Sequence, residues 1–335
     1  MLQHLRHEFV ALSPMPRRVL VGYSGGADSL GLLTLLSSLA PAAGFRVSAM
    51  HVDHGVRSQS GADAELAANV CRVLGVDLVL KRIHPDSIAG HAGVGREEAL
   101  RRERYRCFAA ALAETGADVV ALAHHQRDQA ETVVLHLLRG AGLNGASGMR
   151  SLSEVAVPWW EDPEPVQMIR VWRPLLAVPL DNLRSYALGT GLPIADDASN
   201  LDESFRRNAI RHTALPVLEQ IAPGATANLA RFASLAAVDA DALDAEADAA
   251  MATVLSGDEI VRNSLLALPL AIRSRVLRRW VSQHAPAGLE ISLERVESVL
   301  AVAASPGGTR LVEIGRGLSV EVSRDRLRVV AQPLT

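Results

Sequence analysis

The sequence predicts an α/β fold, a doubly wound parallel sheet followed by a helical linker and a small α+β C-terminal domain, on three observations. Apolar runs of strand length alternate with helical spacing from residue 18 to about 138, the rhythm of βα units whose right-handed crossovers bring every strand end to one rim. The first run, Arg18-Val19-Leu20-Val21-Gly22-Tyr23, passes directly into Ser24-Gly25-Gly26-Ala27-Asp28-Ser29 and then an apolar helix pattern. Polar clusters gather at the carboxyl ends of later runs, where open α/β sheets bind their ligands.

Taken in order, residues 1–17 read as a short helix and a proline-marked lead-in. Two successive glycines after the first strand let the backbone turn sharply and bring its N–H groups close to an anion, while the following helix aims its positive end at the same point. This is a phosphate cradle, and it is not the Walker loop, because no lysine follows the glycines. An acid beside polyphosphate usually means Mg2+ between them, so Asp28 is the candidate metal ligand. Residues 46–52 form a second strand ending at Asp53-His54-Gly55-Val56-Arg57, 61–75 a helix, 77–83 a third strand and 84–95 a loop. An Arg-rich helix spans 96–115, and a fourth strand at 118–123 ends in His124-His125-Gln126-Arg127-Asp128-Gln129-Ala130-Glu131-Thr132. A helix beginning near Gln126 places Asp128, Glu131 and Thr132 on one face with His124 at its mouth. Two acids there could hold a metal or an ammonium group. The stretch 153–171, with Trp159-Trp160 and prolines 158, 163 and 165, reads first as a surface loop.

The chain has 335 residues, 49% of them hydrophobic, enough for a sizeable core and two or three domains. No apolar stretch reaches membrane-spanning length and the first residues lack a signal core, so no membrane partner is expected and a cytoplasmic location follows by default. Cys71 and Cys107 stand far apart in helical patterns, which argues against a disulfide framework or a thiolate zinc site. Net charge is −3, but all 34 basic residues except Lys81 are arginine, clustered at 96–106, 206–211, 273–279 and 310–328. Arginine suits bidentate phosphate contact.

The glycine turn, His51-Val52-Asp53-His54-Gly55-Val56-Arg57, the His124 to Thr132 stretch and Leu138-Arg139-Gly140-Ala141-Gly142-Leu143 together resemble the N-type (PP-loop) ATP pyrophosphatases, which are Rossmann-like. Arg173-Pro174-Leu175-Leu176, Asp197-Ala198-Ser199-Asn200 and Arg207-Asn208-Ala209-Ile210-Arg211 make the resemblance narrower, to the bacterial tRNA(Ile)-lysidine synthetase family. Phe205 and Ala198 depart from the family pattern without removing a group the chemistry needs. The resemblance implies ATP-dependent ligation of free L-lysine to carbon 2 of the first-anticodon cytidine of tRNA(Ile) with a CAU anticodon, through an adenylated tRNA, switching decoding from AUG to AUA. By motif match Ser24, Gly25, Gly26, Ala27 and Ser29 would hold ATP with Asp28 on Mg2+, and His51 and Asp53 would border the adenosine. His124, Asp128 and Glu131 would face the lysine and the adenylated base. Arg101 and Arg104 match the family pattern before Tyr105 and, three apart, share a helix face. Arg207 and Arg211 would reach the phosphates or the anticodon.

The resemblance implies a catalytic domain over 1–216 and, over 217–335, a helical linker with a tRNA-binding domain. The residues themselves read as a long Ala-rich helix at 222–252, helices at 265–284 and 292–304 and a small antiparallel sheet at 309–330. Arg275 and Arg279, with Arg273 and Arg278 on one helix and Arg310, Arg316, Arg324, Arg326 and Arg328 near the sheet, offer an electrostatic footprint for tRNA. Oligomeric state has no sequence signal; a homodimer is the assembly considered. A tRNA cytidine thiolase of the same superfamily would require a paired-cysteine motif that is absent.

Overall fold

The computed structural model describes residues 1–53, 60–160, 167–195, 206–285 and 291–331. The chain divides into two compact units, the first Met1–Pro158 with Pro165–Ala237, the second Val238–Thr335 with Trp159–Glu164.

The first unit opens with α1 (Leu2–Val10), β1 (Arg18–Gly22), α2 (Ala27–Ala43) and β2 (Arg46–Asp53). Val19, Leu20 and Val21 are all fully buried, as a strand covered on both faces must be. The helix α2 is apolar nearly all round because it lies between that sheet and a later helix. Next come α3 (Ser60–Leu74), β3 (Asp77–Arg82), α4 (Pro85–Ala89), α5 (Arg96–Thr115), β4 (Val119–Ala121), α6 (Gln126–Leu138) and α7 (Leu143–Ala146).

The stretch predicted as a surface loop is instead a hairpin, β5 (Leu152–Val157) and β6 (Gln167–Trp172), which completes the sheet. Its signal was an alternation, Val155 with Val157 and Ile169 with Val171; Ile169 and Val171 are buried. Pro163 and Pro165 lie outside the described residues. The sheet order is β3-β2-β1-β4-β6-β5, parallel except at the β5 edge. Stacked Phe9 and Phe45, with ring centroids 4.4 Å apart, and fully buried Trp172 close one side of the core.

The unit continues through α8 (Leu180–Gly189), α9 (Arg206–Ala209), a π-helical turn (Ile210–Ala214), α10 (Leu215–Ile221) and the first part of α11 (Ala225–Val254). Packing extends this unit to Ala237, beyond the boundary predicted at 216. Leu218 and Leu229 close over buried Ala130, Ile210 and Leu215, which ties α10 and the start of α11 to α6.

In the second unit, β7 (Leu255–Ser256), β8 (Glu259–Val261), α12 (Arg262–Ala267), α13 (Leu270–His284), α14 (Leu293–Ala304), β9 (Arg310–Gly315), β10 (Leu318–Val322) and β11 (Arg326–Ala331) follow α11. The helix predicted over 265–284 is two helices, because Pro269 cannot continue α12 and instead starts α13 as its N-cap. A five-stranded sheet, β7-β8-β11-β10-β9, packs with α13 and α14 around buried Trp280, whose Nε1 donates to the Asp258 carbonyl at 2.9 Å. Arg262 donates to the carbonyls of Ala303, Ser305, Ser323 and Arg324, satisfying the end of α14 and the β10–β11 turn together.

Both cysteines are free. Cys71 is 1% exposed, and burial pushes its thiol up to about 11, so the nucleophilic thiolate is scarce at neutral pH. In the native protein Cys71 should resist alkylation by iodoacetamide at pH 8 and react once urea unfolds the chain, as read by mass spectrometry; rapid native labelling would contradict the packing.

Candidate active site

The glycine turn sits where β1 gives way to α2. Gly25 has φ +90°, a conformation that favours glycine, and a Cβ there would make a tight approach of 3.2 Å to Ala195 Cβ. The turn is braced from within. Ser24 and Ser29 hydroxyls lie 3.0 Å apart, and Ser29 Oγ donates to the Gly26 carbonyl at 3.0 Å. Gly26 is the N-cap of α2 and no side chain caps it, so the first N–H groups of the helix are open to an anionic ligand.

Asp28, in the first turn of α2, faces an imidazole and a guanidinium. His125 Nε2 lies 3.6 Å from Oδ2 and Arg184 Nε 3.5 Å from Oδ1. Burial works to raise the Asp28 pKa, but His125 and Arg184 outweigh it and hold the carboxyl below its ordinary value. Among the described residues no group of three His, Cys, Asp or Glu side chains converges as a metal cage. A single ionised, one-third exposed carboxylate beside an open helix N-terminus nevertheless fits Mg2+, which is commonly held by one or two carboxylates plus substrate phosphates.

His125 is the residue the sequence reading passed over in favour of His124. It is the N-cap of α6: its Nδ1 accepts from Asp128 N at 3.4 Å while Asp128 Oδ2 accepts from His125 N at 3.0 Å, a reciprocal capping box. With Nδ1 accepting, the ring proton sits on Nε2, which faces both Asp28 and Asp128. The only sequence signal was position, immediately before the first helical residue.

Asp128 and Glu131 do share one face of α6, and arginines occupy it. Glu131 is wholly buried; Arg211 Nε meets its Oε1 at 2.6 Å and Arg207 Nε its Oε2 at 2.9 Å. The same guanidiniums reach Asp128 Oδ1, Arg211 at 3.0 Å and Arg207 at 3.4 Å. Burial would lower the Arg211 pKa, but the two acids raise it. Arg207 comes from α9 and Arg211 from the π-helical turn, a distortion frequent at functional sites.

His124 lies beside this lattice with its Nδ1 buried and unpartnered among the described residues. Burial, then the charges of Arg173, Arg207 and Arg104, hold its pKa well below the ordinary value, so the imidazole is neutral at neutral pH. Arg173 is 7% exposed; its Nη1 donates to Arg150 O and Ser153 Oγ, and its Nε has no partner among the described residues. No described carboxylate lies within ion-pair distance of Arg104, whose pKa burial pulls down. Arg101 lies over the Tyr105 ring at 5.1 Å and 3.9 Å from Glu98, close enough for its charge to act on Arg104 and Arg173.

The remaining predicted residues are placed as follows. His51 is 4% exposed and bonds through Nδ1 to the Tyr23 carbonyl at 3.0 Å, fastening the ends of β1 and β2. Asp53 pairs with Arg82 at 3.1 Å. In the second unit Arg275 lies 3.0 Å from Asp244, and Arg279 bonds Asp244 and Asp248, so both guanidiniums fasten α13 to α11. His54, Arg57, the 197–200 motif and Phe205 lie outside the described residues.

A parallel sheet whose first strand opens through two glycines and an acid into a helix N-terminus defines a PP-loop ATP-utilising domain, and the PP-loop domain family matches residues 1–218. A TilS substrate binding domain matches residues 262–328. A tRNA(Ile)-lysidine synthase from Gloeobacter violaceus is 35% identical, covering 96% of this chain and 93% of its own length. That of Streptomyces coelicolor is 38% identical over 85% of this chain and 77% of its own length. That of Chromobacterium violaceum is 37% identical over 78% of this chain, which spans 56% of that relative's length. Among solved structures the U34-tRNA thiolase NcsA of Methanococcus maripaludis superposes with TM-score 0.54 at 18% identity, covering 70% of this chain and 78% of its own, a likeness of fold. The chain belongs to the tRNA(Ile)-lysidine synthase family.

Proposed function

We propose that this chain catalyses ATP-dependent lysidine formation in tRNA(Ile), with free L-lysine as the amine donor and the CAU anticodon cytidine as the acceptor. The observation that carries the reading is the open glycine turn with ionised Asp28 on the same rim as His124, Asp128 and the arginines. In the first step oxygen 2 of the cytosine attacks the α-phosphorus of ATP, and pyrophosphate leaves. In the second the ε-amine of lysine attacks carbon 2, the carbon–oxygen bond breaks, AMP departs and one proton is released. Splitting the exchange in two is needed because an oxo group on cytosine is a poor leaving group until it is an AMP ester.

The open N–H groups of α2 would hold the phosphates and stabilise charge as pyrophosphate forms. Asp28 would hold Mg2+, which when bound supplies further neutralisation of phosphate charge. His124, neutral and ringed by arginines, is a hydrogen-bonding group for the base rather than a proton acceptor. Arg104 and Arg173, which have no carboxylate partner among the described residues, suit the anionic adenylate. Asp128 and Glu131 would act on lysine indirectly, by holding Arg207 and Arg211 in place.

Arg184 was not anticipated and would contact the terminal phosphates from beside Asp28. Arg184→Ala should weaken binding of a non-hydrolysable ATP analogue about tenfold, in keeping with one lost charged hydrogen bond, and leave AMP binding unchanged. Equal effects on both nucleotides in calorimetry would remove this contact.

Incubation of the protein with Mg-ATP, radiolabelled lysine and a CAU-anticodon tRNA(Ile) transcript tests the whole. Label recovered as a modified cytidine, dependent on ATP and on the anticodon, is the expected result. AMP formation without label would keep the adenylation and overturn the acceptor or donor.

A further inference from the structure

Tyr105 follows Arg104 on α5 and is 2% exposed. Its ring meets Phe108 edge-on, with centroids 5.6 Å apart. A phenylalanine would make that contact equally well, so packing selects the ring and leaves the hydroxyl to be explained. A buried hydroxyl is costly unless it is hydrogen-bonded. Its partner is Arg173, the residue immediately after β6, whose guanidinium donates to it.

The same side chain serves a second arginine. Arg101, one helical turn earlier on α5, has its Cζ 5.1 Å from the Tyr105 ring centroid, over the face, where the quadrupole attracts a cation. Arg173 is fixed further by Nη1, which donates to the Arg150 carbonyl at 3.1 Å and to Ser153 Oγ at 2.6 Å, while its buried Nε has no partner among the described residues. The charge of Arg101 works against those of Arg104 and Arg173, and neither of these two has a carboxylate partner among the described residues. Like charges gathered in a partly buried site spread apart unless something holds them. A carboxylate would hold them firmly but cancel the positive potential that an anion needs, as Asp128 and Glu131 do for Arg207 and Arg211. An uncharged phenol holds one by a lone pair and one by a π face, and leaves that potential in place.

We propose that Tyr105 is a positioning residue, setting Arg173 through its hydroxyl and Arg101 through its ring to receive the phosphate of the adenylated base; this rests on the lysidine reading above. Being buried, it acts through the two arginines rather than on the substrate. A guanidinium fixed in advance loses little freedom as phosphate charge develops.

The test uses the full chain, its Tyr105→Phe and Arg173→Met variants and the double variant, with pyrophosphate release measured against Mg-ATP in the presence of the CAU-anticodon tRNA(Ile) transcript. Tyr105→Phe keeps the ring and removes only the hydroxyl. It should lower kcat about tenfold and leave KM for ATP within about twofold, the pattern of an interaction expressed in the transition state. In the Arg173→Met background the same change should cost less than about twofold, because the guanidinium through which the hydroxyl acts is gone. A purely structural hydroxyl would cost the same factor in both backgrounds, and that result would overturn the proposal, as would normal turnover in Tyr105→Phe. Arg173→Met with wild-type turnover would remove Arg173 from the site and the proposal with it, while lysidine formation stood. A folded wild-type chain that releases no pyrophosphate with this tRNA would overturn the underlying reading itself.

Discussion

Asp28→Asn is expected to suppress ATP-dependent pyrophosphate release by about a thousandfold or more, the scale of about 4 kcal/mol of lost charge stabilisation. Asparagine keeps the size and much of the hydrogen bonding of aspartate, so the change removes a charge and little else. That charge matters because His125 and Arg184 hold it ionised at the mouth of an open helix N-terminus. The fold should tolerate the substitution. Asp28 is one-third exposed and its two partners stand at 3.5 and 3.6 Å, so the pairs contribute less than about 1 kcal/mol in water. The depressed pKa gives the same sign: the small stability contribution is present above the ordinary value of 3.8 and is lost as pH falls through the lower native value. Near-normal pyrophosphate release by a folded Asp28→Asn protein would end the assignment of Asp28 as metal ligand.

Arg211→Ala should be the most destabilising single change in the site, at about 3 kcal/mol. Glu131 is fully buried, and Arg211 supplies contacts at 2.6 and 3.0 Å to its two oxygens and one at 3.0 Å to Asp128. Without it Arg207, helped only by Arg127 at 3.8 Å from Glu131, faces two buried carboxylates, and a charge removed from water with too little compensation is costly. The sign of the remedy separates this from lost packing. Adding Glu131→Gln to Arg211→Ala removes the uncompensated charge and should restore about 1–2 kcal/mol, a positive coupling measurable by urea denaturation of the four proteins in the cycle. Additive losses, or a cost below about 1 kcal/mol for Arg211→Ala, would show that the lattice is too solvated to matter. The same lattice explains why an acid pair read as an ammonium site is occupied by arginine: the π-helical turn brings Arg211 onto α6 within reach of Glu131.

Local features were legible from one dimension because their causes are local. Gly25 and Gly26 follow a largely apolar strand and precede an apolar helix; the helix over Arg96–Thr115 and the strands β9, β10 and β11 follow from periodicity and turn residues within a few positions. The β5–β6 hairpin was missed because three prolines between two runs of alternating residues outweighed the alternation, although the strands themselves contain none of them. For another reason, His125 was not singled out beside His124. Adjacent side chains diverge, and the extended backbone at His125, φ −128° and ψ −176°, decides which ring turns back onto the helix start.

The amino-acid sequence by itself determined the first four strands and the helices between them, the glycine cradle, the acid beside it and the family to which the chain belongs, since each is carried by residue type at fixed short spacing. Only the tertiary structure decided which charges meet. Asp28 and Arg184 are 156 positions apart, and Glu131 and Arg211 are 80. An arginine on a helix face reads the same whether it faces water, phosphate or a buried carboxylate. Electrostatic energy depends on distance and on exclusion of water, and both are set when distant segments pack together rather than along the chain.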